Sequence, residues 1–247
     1  FIDDRLNLAP SIKILFIIIP SVYLIISGIS INNLGIYEYI GVINLGKFQL
    51  PFLILATGLL INATNYIDGV DGLLLTFFAC CLGYYIFLIE DTNTIYLIKL
   101  LLIPVILNLI LNLLPFKSKI KFFSGNSGSL FVGFFVSFLT IELYNSFNIH
   151  PVYLIWPLWY PVYDFLFVST NRAVLKKSIF SADNSHLHHK VLIKFKKDHI
   201  KTISLYFISN VSIIYIGFLI SNYSKFLSLI TFIIGFIFYL IFRFKFK

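Results

Sequence analysis

The sequence predicts an all-α fold, a polytopic membrane helix bundle. Three observations carry that reading: 59% of the 247 residues are hydrophobic, only 12% are charged, and apolar runs of nearly 20 residues recur along the chain with a mean hydropathy of +0.91. A soluble domain carries about 25% charged residues, and a single soluble core of this length has no room for so much apolar surface. Runs of roughly 18 or more apolar residues read as spanning helices. The bilayer admits only helices or closed barrels, and runs without period-2 alternation select helices.

Eight runs qualify, over about 12–29, 50–67, 72–91, 95–114, 129–147, 152–170, 201–221 and 225–243. The chain therefore reads as one transmembrane domain over 1–247, whose largest non-spanning piece is a basic, histidine-rich loop at 171–200. It opens at Phe1 and contains no Met, so it is read as lacking N-terminal helices. The adjacent Cys80 and Cys81 fall inside a run and read as packing residues.

Lys and Arg set the orientation. With the start placed in the cytoplasm and sides alternating, only Lys47, Lys99 and Lys225 of the 19 fall outside, and the other 16 fall inside. The formal charge of +8 is then one basic face, suited to anionic lipid and phosphate groups. No soluble domain is left to carry a nucleic-acid footprint. The outer connections look plain: a glycine-containing polar stretch near 30–48, then Glu90 to Thr94, Asn145 to Pro151 and Ser221 to Lys225. Tyr153, Trp156 and Trp159 read as aromatics of the outer membrane boundary.

Polar residues gather in four clusters. Asp3-Asp4-Arg5 precedes the first run; paired carboxylates there suit a divalent cation or a base, or simply a helix cap. Asn62 to Gly72 joins the second and third runs. Asn65, Asp68 and Asp71 recur every three residues and share one side of a helical turn. Two acids at a membrane interface without a basic neighbour call for a cation. Ser124-Gly125-Asn126-Ser127-Gly128-Ser129 opens the fifth run, where free N–H groups suit an anion and Ser127 or Ser129 suits capping. Ser178 to Lys190 holds Asp183, Asn184, His186, His188 and His189. Its spacing is not that of a zinc site, so phosphate recognition fits better. Asp164 and Arg172, just upstream, are spaced to share a face, as a pair or as site residues. All four clusters fall on the same side of the membrane, which points to a single cytoplasm-facing site.

These motifs resemble the polyprenyl-phosphate N-acetylhexosamine 1-phosphate transferases of glycosyltransferase family 4, which include the phospho-N-acetylmuramoyl-pentapeptide transferases. Asp3-Asp4 resembles the family's paired aspartates. Asn62 to Gly72 resembles N-A-x-N-x-x-D-G-x-D-G nearly residue for residue, and Gly125 to Ser129 resembles G-D-x-G-S. His186-Leu187-His188-His189 resembles the H-x-H-H loop, in the form of the branch that uses UDP-N-acetylglucosamine. The family's full chain has about eleven helices, three of them before the paired aspartates. The resemblance implies transfer of a sugar 1-phosphate from a UDP-N-acetylhexosamine to polyprenyl (undecaprenyl) phosphate with release of UMP. It places that reaction at the bacterial plasma membrane, as the first membrane step of envelope polysaccharide synthesis. It implies Mg²⁺, with Mn²⁺ as a substitute, held by Asn65, Asn126 and Asp68. Catalytic roles fall to Asp3, Asp4, Asp68 and Asp71. Substrate contacts fall to Asn62, Lys13, Gly125, Ser127, Arg172, His186, His188 and His189. Asn126 stands where the family has an aspartate, so an impaired relative is one alternative. An ion- or proton-coupled transporter is another, but it calls for acids at the midplane and an internal repeat, and the acids here gather at one interface.

The charge bias predicts that Lys119 and the 171–200 segment face the cytoplasm. A single cysteine at position 119 should resist an impermeant thiol reagent in intact cells and react once the membrane is opened. Labelling from outside would invert the topology.

Overall fold

The computed structural model describes residues 18–19, 22–24, 26–115, 118–122, 124–176 and 186–245. Asp3, Asp4, Lys13, Lys117, Asp183 and Asn184 lie outside the described residues. A short hairpin of β1 (Asn33–Tyr37) and β2 (Gly41–Asn44) comes first. Then follow α1 (Gln49–Ile67), α2 (Leu73–Leu88), α3 (Thr92–Asn112) and α4 (Gly125–Phe147). A one-turn helix α5 (Pro151–Leu154) leads to α6 (Trp159–Val174), and α7 (Leu187–Lys194), α8 (His199–Tyr223) and α9 (Lys225–Lys245) complete the chain.

Seven of the eight apolar runs coincide with these helices, and the first falls largely outside the described residues. Five segments are long and apolar enough to cross a membrane unaided: Gly46–Ile67, α3, α4, α8 and α9. The chain is thus a multi-pass, all-α membrane protein. Helix α2 has 16 residues, about 24 Å at 1.5 Å per residue. It packs inside the bundle: Phe77, Cys81, Leu82 and Tyr85 are completely buried, while Phe87 near its end stays exposed, so its neighbours cover most of it. Both cysteines are buried and free, as packing residues would be.

The sixth run is not one helix. A 3₁₀ turn at Trp156–Leu158 separates α5 from α6. Pro157 removes a backbone donor and Pro161 a second within the next turn, so a continuous i→i−4 ladder cannot form there. The stretch near 30–48, read as a plain connection, folds into the hairpin. That hairpin organises the end of the bundle opposite the motifs. The Glu38 carboxylate accepts the N–H groups of Lys225 and Phe226 (both 2.7 Å) and so caps α9. Tyr144 on α4 donates to the Asn33 side chain (2.7 Å).

Two close approaches fix the helix packing. A Cβ on Gly133 of α4 would overlap the Thr64 hydroxyl and the Ile61 backbone of α1. The absent side chain lets the two helices meet backbone to backbone, and the Thr64 hydroxyl donates across the seam to the Ser129 carbonyl (3.0 Å). On the other side, the Trp156 ring lies on Gly217 of α8. Its indole N–H donates to Ser228 of α9 (3.0 Å), which bonds Ser221 (2.7 Å). This corrects the boundary reading of Trp156: it is 5% exposed and wedged where α5, α8 and α9 meet. Trp159 donates to Asn210 of α8 (2.7 Å), and Tyr153 to Asn222 (2.9 Å).

Truncation of a packed tryptophan that also holds a buried hydrogen bond should be costly. Trp156→Ala is expected to lower stability by about 2–5 kcal/mol, read from reversible denaturant unfolding in detergent micelles. A change below about 0.5 kcal/mol, the size usual for surface sites, would return Trp156 to the lipid boundary.

Candidate functional site

The alternation of helices brings the ends of α1, α3, α6 and α9 and the starts of α2, α4 and α8 to one end of the bundle. The motif residues meet there. The turn between α1 and α2 is set by its backbone. Asp68 ends α1, and Gly72 opens α2 in the left-handed region at φ +80°, which a residue with a Cβ adopts only at a cost. The Gly72 N–H donates to the side-chain carbonyl of Asn112 at the end of α3, and the Asn112 amide donates to the Phe122 carbonyl (2.7 Å). One buried asparagine thus ties the Asp68–Asp71 turn to the segment that enters α4.

The α1–α4 seam places Asn65 against the start of α4. Its amide donates to the Asn126 side-chain oxygen (3.1 Å) and to the Ser129 hydroxyl (2.8 Å). Two motifs 61 residues apart therefore touch through the residues read as a metal pair. Ser129 does not cap the helix; its hydroxyl donates back to the Gly125 and Asn126 carbonyls (3.1 and 3.0 Å). Ser124 occupies the capping position without a side-chain cap bond. Gly125 and Ser127 open the same first turn. Asn62 is not drawn into the cluster in the same way, because its amide nitrogen donates to the Gly58 carbonyl of its own helix (2.7 Å).

The two acids of the turn differ. Asp71 has the basic neighbour that its sequence surroundings do not reveal: Lys121 Nζ lies 2.6 Å from its carboxylate. His199 Nδ1, opening α8, accepts the Asp71 backbone N–H (3.2 Å). The expectation of two unpaired acids is therefore corrected at Asp71, because the 118–122 segment folds back over the turn. Asp68 differs: burial, and then the charge of Asp71, push its carboxyl up to about 7. It is the carboxyl that gains most from a nearby cation.

The histidine segment closes over this turn. A Cβ on Gly69 would lie 2.5 Å from the His189 ring and 3.5 Å from His188 Nε2, so the absence of a side chain at 69 lets the second and fourth motifs meet. The segment is more ordered than a loop: α7 begins at Leu187, and His186 and His188 are each 3% exposed. The Tyr160 hydroxyl bonds His188 Nδ1 (3.0 Å). The His186 and His188 rings stack 5.4 Å apart. Tyr66, between Asn65 and the acidic turn, lies 5.0 Å from the His186 ring and carries the buried Arg172 guanidinium 5.4 Å over its own ring. Arg172 thus joins the cluster through Tyr66. Asp164 forms a hydrogen bond with His186 Nδ1 (2.7 Å) and has the Arg243 guanidinium as its ionic partner (3.8 Å).

The structure thus assembles Asn65, Asn126, Asp68, Asp71, Arg172, His186, His188 and His189. Lys121, Asn112, His199, Tyr66, Tyr239 and Arg243 join them without having been singled out as site residues. The basic run at 117–121 was visible, but not which lysine turns back onto Asp71. Among the described residues, no three His, Cys, Asp or Glu side chains gather as a metal group.

Known proteins are similar in sequence. The family model described as glycosyl transferase family 4 matches residues 1–144. A Bacillus subtilis protein, the probable undecaprenyl-phosphate N-acetylglucosaminyl 1-phosphate transferase, is 26% identical over 193 residues, covering 77% of this chain and 54% of its own length. The undecaprenyl-phosphate alpha-N-acetylglucosaminyl 1-phosphate transferases of Salmonella typhi (27% identical, 77% of this chain, 53% of the relative) and Yersinia pestis (25%, 77%, 54%) are similar to it at the same level. The chain spans about half the length of these curated relatives. With a family model matching more than half of the chain, the chain belongs to glycosyl transferase family 4.

Proposed function

We propose that the protein is a phospho-sugar transferase that moves a sugar 1-phosphate from a UDP-N-acetylhexosamine, UDP-N-acetylglucosamine first among them, to undecaprenyl phosphate, releasing UMP at the cytoplasmic face. The observation that carries the proposal is the convergence of the amide pair, the acidic turn and the histidine segment at one end of a membrane bundle of this family. The relatives' names support the lipid acceptor and the sugar, and the Lys and Arg distribution supports the orientation.

The reaction joins two anions. The lipid phosphate attacks the β-phosphorus, the bond from that phosphorus to the UMP oxygen breaks, and UMP leaves with the electron pair. Two unit charges about 4 Å apart repel by about 4 kcal/mol at an effective dielectric of 20, and several such charges meet here. Arg172 and Lys121 supply cationic groups at this end and the histidines supply polar ring nitrogens; Arg172 suits a phosphate through its planar fork of N–H donors. Gly125 and Ser127 present the first turn of α4 to an anion. Asp71 holds the Lys121 ammonium, so its role is positioning. Asp3 or Asp4 orients or deprotonates the lipid phosphate, and Lys13 adds a cationic contact to the diphosphate.

The donor set fits Mg²⁺, a hard cation that takes a few protein oxygens and completes its shell from phosphate and water. Asn65, Asn126 and Asp68 would hold it, and Mn²⁺ accepts the same oxygen donors. When bound, the ion neutralises charge on the diphosphate. The set carries at most one negative charge, because Asn126 is neutral. That single residue favours a second reading, a relative with impaired turnover.

UMP release from UDP-N-acetylglucosamine, other UDP-sugars and undecaprenyl phosphate alone tests the proposal in the full-length protein. Release that needs both substrates supports it, and no release with any UDP-sugar defeats it. Asp68→Ala should abolish release while the protein still inserts, because it removes the only acid of the turn without a lysine partner among the described residues; normal turnover would reduce Asp68 to a helix end. Asn126→Asp should lower the Mg²⁺ concentration giving half-maximal turnover by about tenfold, the effect of about 1.4 kcal/mol. An unchanged Mg²⁺ dependence would take position 126 out of the ligand set.

A further inference from the structure

Asp164 sits on α6, outside the four motif clusters, and is 1% exposed. Each of its oxygens is occupied. Oδ2 takes the His186 ring at Nδ1 (2.7 Å). Oδ1 accepts the N–H of Leu187 (3.1 Å) and the hydroxyl of Tyr239 (2.6 Å), with Arg243 Nε at 3.8 Å. The carboxylate thus joins three segments: α6, the first residues of the histidine segment, and α9, whose last turns supply Tyr239 and Arg243. The Arg243 guanidinium also lies 4.6 Å over the Phe167 ring, so α9 is held in register with α6 on two sides.

A buried ion pair is weak evidence for a purely stabilising role, because desolvation offsets much of the Coulomb gain and apolar side chains of similar size often serve a fold as well. The placement of this one is more telling. Its ring partner is the first histidine of the H-x-H-H segment, stacked on His188 and facing Tyr66. A carboxylate at Nδ1 fixes both the tautomer and the plane of an imidazole, which leaves Nε2 as an acceptor for a substrate hydroxyl. We propose that Asp164, braced by Tyr239 and Arg243 from the last helix, is a positioning residue that holds His186 in one orientation toward a hydroxyl of the nucleotide-sugar. The role rests on the transferase reading above, whereas the Asp164–His186 coupling can be tested without it.

Two readouts separate positioning from simple support. In the protein labelled with ¹⁵N-histidine, with the His186 signal assigned through His186→Gln, wild-type His186 should carry its proton on Nδ1. In Asp164→Ala it should move to the Nε2–H form or to a mixture. In steady-state assays Asp164→Ala should raise KM for the UDP-sugar and lower kcat, with kcat/KM falling about 10- to 100-fold, as when an orienting partner of a working histidine is removed. KM for undecaprenyl phosphate should stay constant. Tyr239→Phe, which removes one bond and no charge, should move the UDP-sugar KM in the same direction by a smaller factor. An unchanged His186 tautomer in Asp164→Ala would overturn the proposal. So would a loss of kcat alone, with both KM values at wild type, since that is the signature of fewer folded molecules. If the wild-type protein transfers no sugar phosphate at all, the functional reading fails, and the tautomer measurement still decides whether Asp164 orients His186.

Discussion

The close approach of α1 to α4 is the constraint on which the site depends. It exists because Gly133 offers no side chain where Thr64 and the Ile61 backbone press in. In a membrane, lipid tails are as apolar as leucine, so helices associate through close packing and interhelical hydrogen bonds rather than by escaping water. The Thr64–Ser129 bond secures the seam one residue before Asn65, on the last full turn of α1. From there the rest follows: Asn65 reaches Asn126, the acidic turn hangs from the end of α1, and the histidine segment closes onto Gly69.

Charge at that end is compensated group by group. Asp71 takes Lys121, and Asp164 takes Arg243 together with a hydrogen bond to His186. Each pair links segments far apart in sequence, so the ionic contacts also define which loops lie together. Asp68 stands apart, with its carboxyl raised by burial and by Asp71. Under the proposed function, Asp68 is then the weakly compensated carboxyl among the described residues of this turn.

Much of the architecture was legible in the residues. Run length and the lack of alternation identify the helices, because a spanning segment must satisfy every backbone group internally. Asn65, Asp68 and Asp71, spaced by three, do not share a helical turn as the spacing suggests, because α1 ends at Ile67 and only Asn65 lies on it. Other features escape such reading for physical reasons. The break at Trp156–Leu158 depends on two prolines whose effect on an apolar run is local and does not lower its hydropathy. The hairpin near residue 40 is too short to show a convincing alternation. Trp156 looks like a boundary aromatic until Gly217 is seen beneath it. Asp71 looks unpaired until the chain folds Lys121 back over it, fifty residues on. The clamp on His186 is the least visible, since Asp164, His186, Tyr239 and Arg243 come from three separate stretches and only the packing of α9 against α6 unites them.

If the α1–α4 seam sets the site, widening it must disable the chemistry before it unfolds the bundle. The direct measurement is UMP release per folded molecule in Gly133→Leu, with folding followed by denaturant unfolding and insertion by membrane fractionation. The account predicts a protein that inserts and folds yet loses turnover by about 100-fold, the scale of a displacement of about 1 Å between reacting groups. Wild-type turnover in a folded Gly133→Leu protein would contradict it, and would show that Asn65 and Asn126 need not meet for the site to work.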